Sequence, residues 1–279
     1  VTSVETQRIQ QALEEAGIEN PDLSGIYDLH ARLFQVLAQA RDDILPVELG
    51  AVDEAALRAR LLQGVPLLVF STLPLDEDRF AALVSDVASL LVESNPDLKE
   101  QSAPDNSEEC MELARQRFEE GQVVGRGASP ERGEAGDEPT LAQLSVDLAL
   151  KPYLEWGAER VLPHVELQFW KRGYCPACGG APGFAFLGEG AGTRYLLCCR
   201  CCSQWPYRRV GCPFCGTRDH AKLSYYLSED EVYRLYVCRA CRRYLKVLDL
   251  RQAGHQVLFP VERVRTACMD LAARQAGYR

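Results

Sequence analysis

The sequence predicts an α fold with small metal-bound β modules: an N-terminal helical bundle, a tandem pair of zinc-ribbon-like four-cysteine subdomains, and a C-terminal helix. Three observations point there. Apolar residues recur at helical spacing through the first 165 residues, four Cys-x-x-Cys pairs crowd between Tyr174 and Tyr244, and an amphipathic pattern returns over 261–275. The implied partition is 1–168 for the helical domain, 169–255 for a double four-cysteine metal-binding module, and 256–279 for a C-terminal helix packing back on the rest.

The bundle is read from its apolar stripes. Ile9, Ala12, Leu13 and Ala16 share one face of a helix over 5–16, with Gly17 as its stop. Pro21-Asp22 opens a second helix, carrying Ile26, Leu29, Leu33, Val36 and Leu37 inward. Asp53 is placed to cap a third over 54–63, closed by Gly64, and Val65 to Phe70 reads as buried extended chain. A longer helix after Pro74 buries Phe80, Leu83, Val84, Val87, Leu90 and Leu91, and another covers 108–119. Gly121 to Pro139 is glycine-rich and charged, as expected of a mobile loop. Thr140 restarts a helix, which Pro152 kinks or divides before about Leu162.

The cysteine pairs are Cys175/Cys178, Cys198/Cys201, Cys212/Cys215 and Cys238/Cys241. Two stand in the same frame, Cys175-Pro-Ala-Cys178-Gly179 and Cys212-Pro-Phe-Cys215-Gly216, in which Pro sets a turn and Gly accepts a positive φ. Eight thiolates suffice for two tetrahedral four-sulfur sites. The stretch is an internal repeat: 19 residues separate Cys178 from Cys198 and 22 separate Cys215 from Cys238. Arg194 and Arg234 lie four positions before the third cysteine of each half. That match selects Cys198 and Cys201 as ligands from the run 198–202 and leaves Cys199 and Cys202 spare. Sequential pairing makes each half a knuckle–hairpin–knuckle unit, and crossed pairing is the alternative. Short strands are expected at 184–187, 193–197, 223–227, 233–237 and 244–250, with Gly188 to Gly192 as a hairpin turn rather than a phosphate loop. The last helix, over 261–275, puts Val264, Ala267, Cys268, Leu271 and Ala272 on its apolar side.

Charge narrows the function classes. Residues 1–170 carry 13 Lys/Arg against 32 Asp/Glu, and residues 171–251 carry 14 against 6. Eight thiolates on two divalent ions would add −4 to the basic stretch, so much of its excess neutralises its own clusters. Together with the acidic helical half, this argues against nucleic-acid binding, which stands as one alternative function; an iron redox carrier is another. No apolar run is long enough for a membrane span, no secretory leader is expected at Val1 to Glu5, and twelve cysteines point to a reducing compartment. No helical stretch carries a catalytic signature. His30 and His164 are expected as packed or surface residues, and Cys110 and Cys268 as small core residues.

At Arg172-Gly-Tyr-Cys-Pro-Ala-Cys-Gly179, Arg194-Tyr-Leu-Leu-Cys-Cys-Arg-Cys201 with Trp205, Cys212-Pro-Phe-Cys215 and Cys238-Arg-Ala-Cys-Arg-Arg-Tyr-Leu-Lys246, the chain resembles the formate dehydrogenase accessory protein family, FdhE. Leu57-Arg-Ala-Arg-Leu-Leu-Gln-Gly-Val-Pro-Leu-Leu68 extends the likeness more loosely into the helical part. Cys199 and Cys202 depart from the family's pattern. The resemblance implies a cytoplasmic maturation factor that is not an enzyme. Its implied partner is the catalytic, molybdenum-containing subunit of respiratory formate dehydrogenase. It also implies a pair of rubredoxin-like folds associated with iron, whereas bare spacing favours zinc; two ions are expected, iron first and zinc as the alternative.

Overall fold

A computed structural model describes residues 3–44, 53–104, 106–122 and 139–279; most of the expected loop from Gly121 to Pro139 lies outside them. The helices are α1 (Ser3–Glu19), α2 (Ser24–Asp42), α3 (Glu54–Gln63), α4 (Glu77–Ser94), α5 (Ser107–Glu120), α6 (Leu141–Ala149), α7 (Lys151–Val161), a one-turn α8 (Glu189–Gly192), α9 (Phe259–Arg265) and α10 (Ala267–Gln275). The strands are β1 (Pro182–Leu187), β2 (Arg194–Cys198), β3 (Gln204–Tyr207), β4 (Leu223–Leu227), β5 (Tyr233–Cys238) and β6 (Arg243–Asp249). The chain divides into two compact units. One takes in the described residues within 1–50, 70–120 and 135–157, the other those within 51–69, 121–134 and 158–279.

The first unit is helical, and α4 supplies its centre. Phe80, Leu83, Val84, Val87 and Leu90 are all buried on one face of α4, the spacing a 3.6-residue period requires. Ile9 and Leu13 of α1, Cys110, Ala114 and Phe118 of α5, and Val146 of α6 are buried in the same unit. Each buried Leu or Phe side chain contributes about 2 kcal/mol. Phe80 meets Tyr153 edge-on with ring centroids 5.8 Å apart. Asp76 caps α4 by accepting the Arg79 N–H at 3.0 Å, and Thr140 with Gln143 forms a capping box on α6. Two readings shift. α1 continues through Gly17 to Glu19, and a Cβ at Gly17 would lie 3.2 Å from the Tyr27 Cβ, so close packing of α2 rather than a helix stop requires this glycine. Ile26 is 41% exposed while its neighbour Tyr27 is 2% exposed, so Tyr27 takes the first buried place on α2, and Leu33 is buried as expected.

The second unit is built on one six-stranded sheet in the order β3-β2-β1-β6-β5-β4. β1-β2-β3 and β4-β5-β6 are antiparallel meanders, one from each half of the repeat. Their seam is the parallel pair β1/β6, with Ala185 opposite Val247 and Phe186 opposite Leu248. The two cysteine modules therefore share a sheet. β3 was not legible in the sequence, since Pro206 argues against a strand; it is tolerated because β3 is an edge. Beneath one face, Phe184, Phe186, Leu197, Tyr233 and Leu248 pack with Phe259 and Met269, and Leu235 and Val237 pack with Ala273 of α10.

The expected single last helix is two. Thr266 leaves the helical region (φ −95°, ψ 17°), and its hydroxyl donates to the Glu262 carbonyl at 2.7 Å. α10 turns accordingly: Ala273 is buried, whereas Leu271 is 59% exposed and Cys268 is exposed, against the expected apolar side. Cys110 is buried, as expected. Asp53 and Gly64 bound α3 as read from the sequence, with the Asp53 carboxylate accepting the Ala56 N–H at 3.0 Å and Gly64 at φ 76°. In the apolar run after Gly64, Pro66, Leu67, Leu68 and Phe70 are buried while Val69 is 37% exposed, Phe70 opens a short 3-10 turn, and none of the run joins the sheet. The Leu67 and Leu68 N–H groups donate to the Pro176 and Ala177 carbonyls, each at 2.9 Å.

Candidate metal centres

Each half of the repeat brings two tight turns together at one end of its hairpin. In the first turns, Gly179 N–H donates to the Cys175 carbonyl and Gly216 N–H to the Cys212 carbonyl, both at 3.0 Å. Gly179 and Gly216 take the left-handed φ the sequence assigned them, 76° and 75°. The second turns begin where β2 and β5 end. The residues that follow their last cysteines, Cys202 and Arg242, also have positive φ, 53° and 56°. Cys202 thus occupies the left-handed corner of its turn, and only four of the six thiols in the first half converge.

The sulfurs of Cys175, Cys178, Cys198 and Cys201 form one set, and those of Cys212, Cys215, Cys238 and Cys241 the other; within each set all lie within 4.8 Å of one another. The sulfurs group in sequence order, the first two pairs together and the last two together, and the run 198–202 contributes Cys198 and Cys201. In the first set Cys175 and Cys201 sulfurs are 3.4 Å apart and Cys178 and Cys198 3.5 Å; in the second, Cys212–Cys241 is 3.6 Å and Cys215–Cys238 3.7 Å. A regular tetrahedron with metal–sulfur bonds of about 2.3 Å has edges of about 3.8 Å, so both sets fit such an ion with little adjustment. Four soft donors in this arrangement suit zinc or iron and leave no open position for substrate.

Electrostatics support the fit. Burial drives the Cys175 thiol well above its ordinary value. Burial also pushes on Cys198, but hydrogen bonds from Cys175, Cys178 and Cys199 pull it down to about 5. In the second set a hydrogen bond from Cys212 lowers Cys241 to about 5, and the same bond, with burial, raises Cys212. In each set the neighbouring thiols pull one cysteine toward its ionised form, and a cation at the centre would let the others ionise. The sets differ in access. All four cysteines of the first are buried, whereas Cys215 and Cys241 of the second are partly exposed.

The arginines singled out by the repeat have diverged. Arg194 is 2% exposed, donates to the Gly211 carbonyl at 2.7 Å, and stacks on Tyr207. Arg234 instead pairs with buried Asp249 at 2.6 Å. Arg242 stacks on Tyr278 and donates to the Ala276 and Gly277 carbonyls beyond the end of α10. Arg208 lies over Tyr207, Arg243 over Phe214, and Arg209 is exposed. His164 meets Glu54 at 3.1 Å, and the His30 ring bonds the Ile26 carbonyl; neither joins a thiol set among the described residues. Sequence reasoning missed the purpose of the Tyr-Leu-Lys ending. The Tyr244 hydroxyl and Lys246 ammonium hold the two oxygens of one carboxylate, Asp270, at 2.9 and 2.6 Å.

Fold and site together define a class: a helical protein carrying a fused pair of four-thiol hairpin modules that could hold two metal ions. Residues 174–209 match the family model described as FdhE, central domain. An FdhE homologue from Aquifex aeolicus is 32% identical over 133 residues, covering 46% of each chain. One from Pseudomonas aeruginosa is 30% identical over 118 residues, covering 38% of this chain and 37% of its own. A Shewanella sp. (strain MR-4) homologue is 25% identical over 224 residues, covering 78% of this chain and 63% of its own. The matches to the first two thus span less than half the length of those curated relatives. The crystal structure of the FdhE protein from Pseudomonas aeruginosa superposes with a TM-score of 0.60 at 21% identity, covering 100% of this chain and 94% of that one, and establishes the shared fold. The chain is thus similar to FdhE proteins, most specifically over residues 174–209, where the family's central domain matches. Among the described residues no helix is long and apolar enough to cross a membrane.

Proposed function

We propose that this chain is an accessory protein for respiratory formate dehydrogenase, acting in the cytoplasm by binding the catalytic, molybdenum-containing subunit, and that it is not itself an enzyme. The observation that carries the reading is the pair of closed four-thiol sets on one sheet in a chain related to FdhE. Cys175, Cys178, Cys198 and Cys201 would hold one ion, and Cys212, Cys215, Cys238 and Cys241 the other. Iron is the favoured ion, zinc the alternative. The ions supply cross-links that fold the knuckles, and coordination closed by protein sulfur suits a docking platform better than a hydrolytic site.

The test pairs chemistry with capture. Protein purified without oxygen should contain two ions per chain, with iron giving a visible absorption that dithionite bleaches. The tagged chain should retain the catalytic subunit of formate dehydrogenase from a cell extract, and a Cys198→Ser, Cys238→Ser double variant should not. Metal-replete protein that captures no subunit, in a host whose formate dehydrogenase is active without this chain, overturns the proposal.

A further inference from the structure

The second half of the sheet carries a cavity of about 230 Å³ on the face away from α9 and α10. Tyr225, Tyr236 and Leu245 stand side by side in register across β4, β5 and β6 and form part of its floor. Three guanidinium groups, from Arg194, Arg209 and Arg243, line it as well, and no Asp or Glu does. Arg194 is 98% removed from solvent, and its Nε has no hydrogen-bond acceptor among the described residues; the Nε of Arg243 is likewise buried without one. The Nε atoms of Arg234 and Arg263, which do not line the cavity, are buried without an acceptor among the described residues as well, so what distinguishes the cavity is its three arginines over an aromatic floor. The adjoining thiol set accounts for part of the charge, since Cys212 and Cys238 share the wall. Four thiolates around a divalent ion carry a charge of about −2, which three guanidiniums exceed.

We infer that this cavity binds a carboxylate attached to a flat apolar body. The guanidinium fork matches a planar carboxylate in two parallel hydrogen bonds, and the aromatic floor accepts a ring or flat chain by stacking. Such a group is either a free small carboxylic acid or the C-terminal residue of a polypeptide ending in an aromatic side chain. The chemistry at the cavity is the same for both.

Calorimetric titration of the metal-replete full chain tests this with benzoate against benzamide, and with Gly-Gly-Phe against its C-terminal amide. Saturable binding of an acid, at least tenfold tighter than its amide, is the expected result. Tighter binding of benzoate identifies a free molecule as the source, and tighter binding of the tripeptide identifies a chain terminus. Arg209→Glu, at an exposed position, should weaken the acid about tenfold while leaving metal content unchanged, and Tyr225→Ala should do the same. Absence of saturable binding by either acid, equal binding of acid and amide, or acid binding unmoved by both substitutions overturns the inference.

Discussion

The Lys246 ammonium lies 2.6 Å from the Asp270 carboxylate and joins the last strand to the last helix from a position only 6% exposed. The same ammonium donates to the Arg263 and Thr266 carbonyls at 3.1 and 3.3 Å, capping the end of α9. Burial lowers its pKa even against Asp270. Asp270→Ala strands this cation and should cost about 2–3 kcal/mol in a urea unfolding experiment. Lys246→Met, which fills the space without a charge, should cost less than Asp270→Ala. The reverse order would show that the pair does not clamp α10.

Glycine substitutions near the knuckles should rank by space. A Cβ on Gly173 would stand 1.9 Å from the Pro213 carbonyl oxygen, so Gly173→Ala forces backbone apart where the first module abuts the second. Gly179→Ala meets Pro66 at 2.9 Å as well as the left-handed penalty, whereas Gly216→Ala meets nothing within 4 Å. The expected costs are over 3, about 2 and about 1 kcal/mol in that order. Thermal unfolding midpoints of the three variants check the ranking.

Asp249 is fully buried, with Arg251 and Arg234 each 2.6 Å from its carboxylate. Its pKa is depressed, foremost by the hydrogen bond from Arg251. A carboxyl with a lowered folded value binds fewer protons folded than unfolded. Its stabilisation is therefore complete above the unfolded value of about 3.9 and fades as pH falls through the folded value. Asp249→Asn should be roughly 2 kcal/mol less stable than the parent at neutral pH, and the gap should close below about pH 4. A pH-independent gap would assign the loss to packing.

Metal release should be biphasic. With Cys215 and Cys241 partly exposed and the first set buried, a chelator should draw about one equivalent quickly and the other at least tenfold more slowly. Cys215→Ser should abolish the fast phase alone. Cys199→Ser should leave two ions bound, because that thiol belongs to neither set.

The cysteine spacing made the site legible because a turn that presents two thiolates to one ion has few solutions, and the repeat carried its own register check at Arg194 and Arg234. α4 was legible for a similar reason: Asp76 and the Phe80–Leu90 stripe are local signals. What could not be read was non-local. Nothing in the sequence announces the parallel β1/β6 seam, since Ala185 and Val247 are ordinary strand residues far apart in the chain. β3 was hidden by Pro206, and α10 was misread because Thr266 interrupts a pattern that otherwise continues. The Tyr244 and Lys246 side chains drew notice as a motif, but their shared carboxylate lies 24 to 26 residues on.

The hydrogen bonds from Leu67 and Leu68 to Pro176 and Ala177 span about 110 residues of chain. During translation the ribosome therefore releases an apolar segment long before the turn that shelters it has been made. Every residue of the helical unit from Phe70 to Gly157 emerges in the interval, so the nascent chain must keep this strip from other partners until the first knuckle arrives.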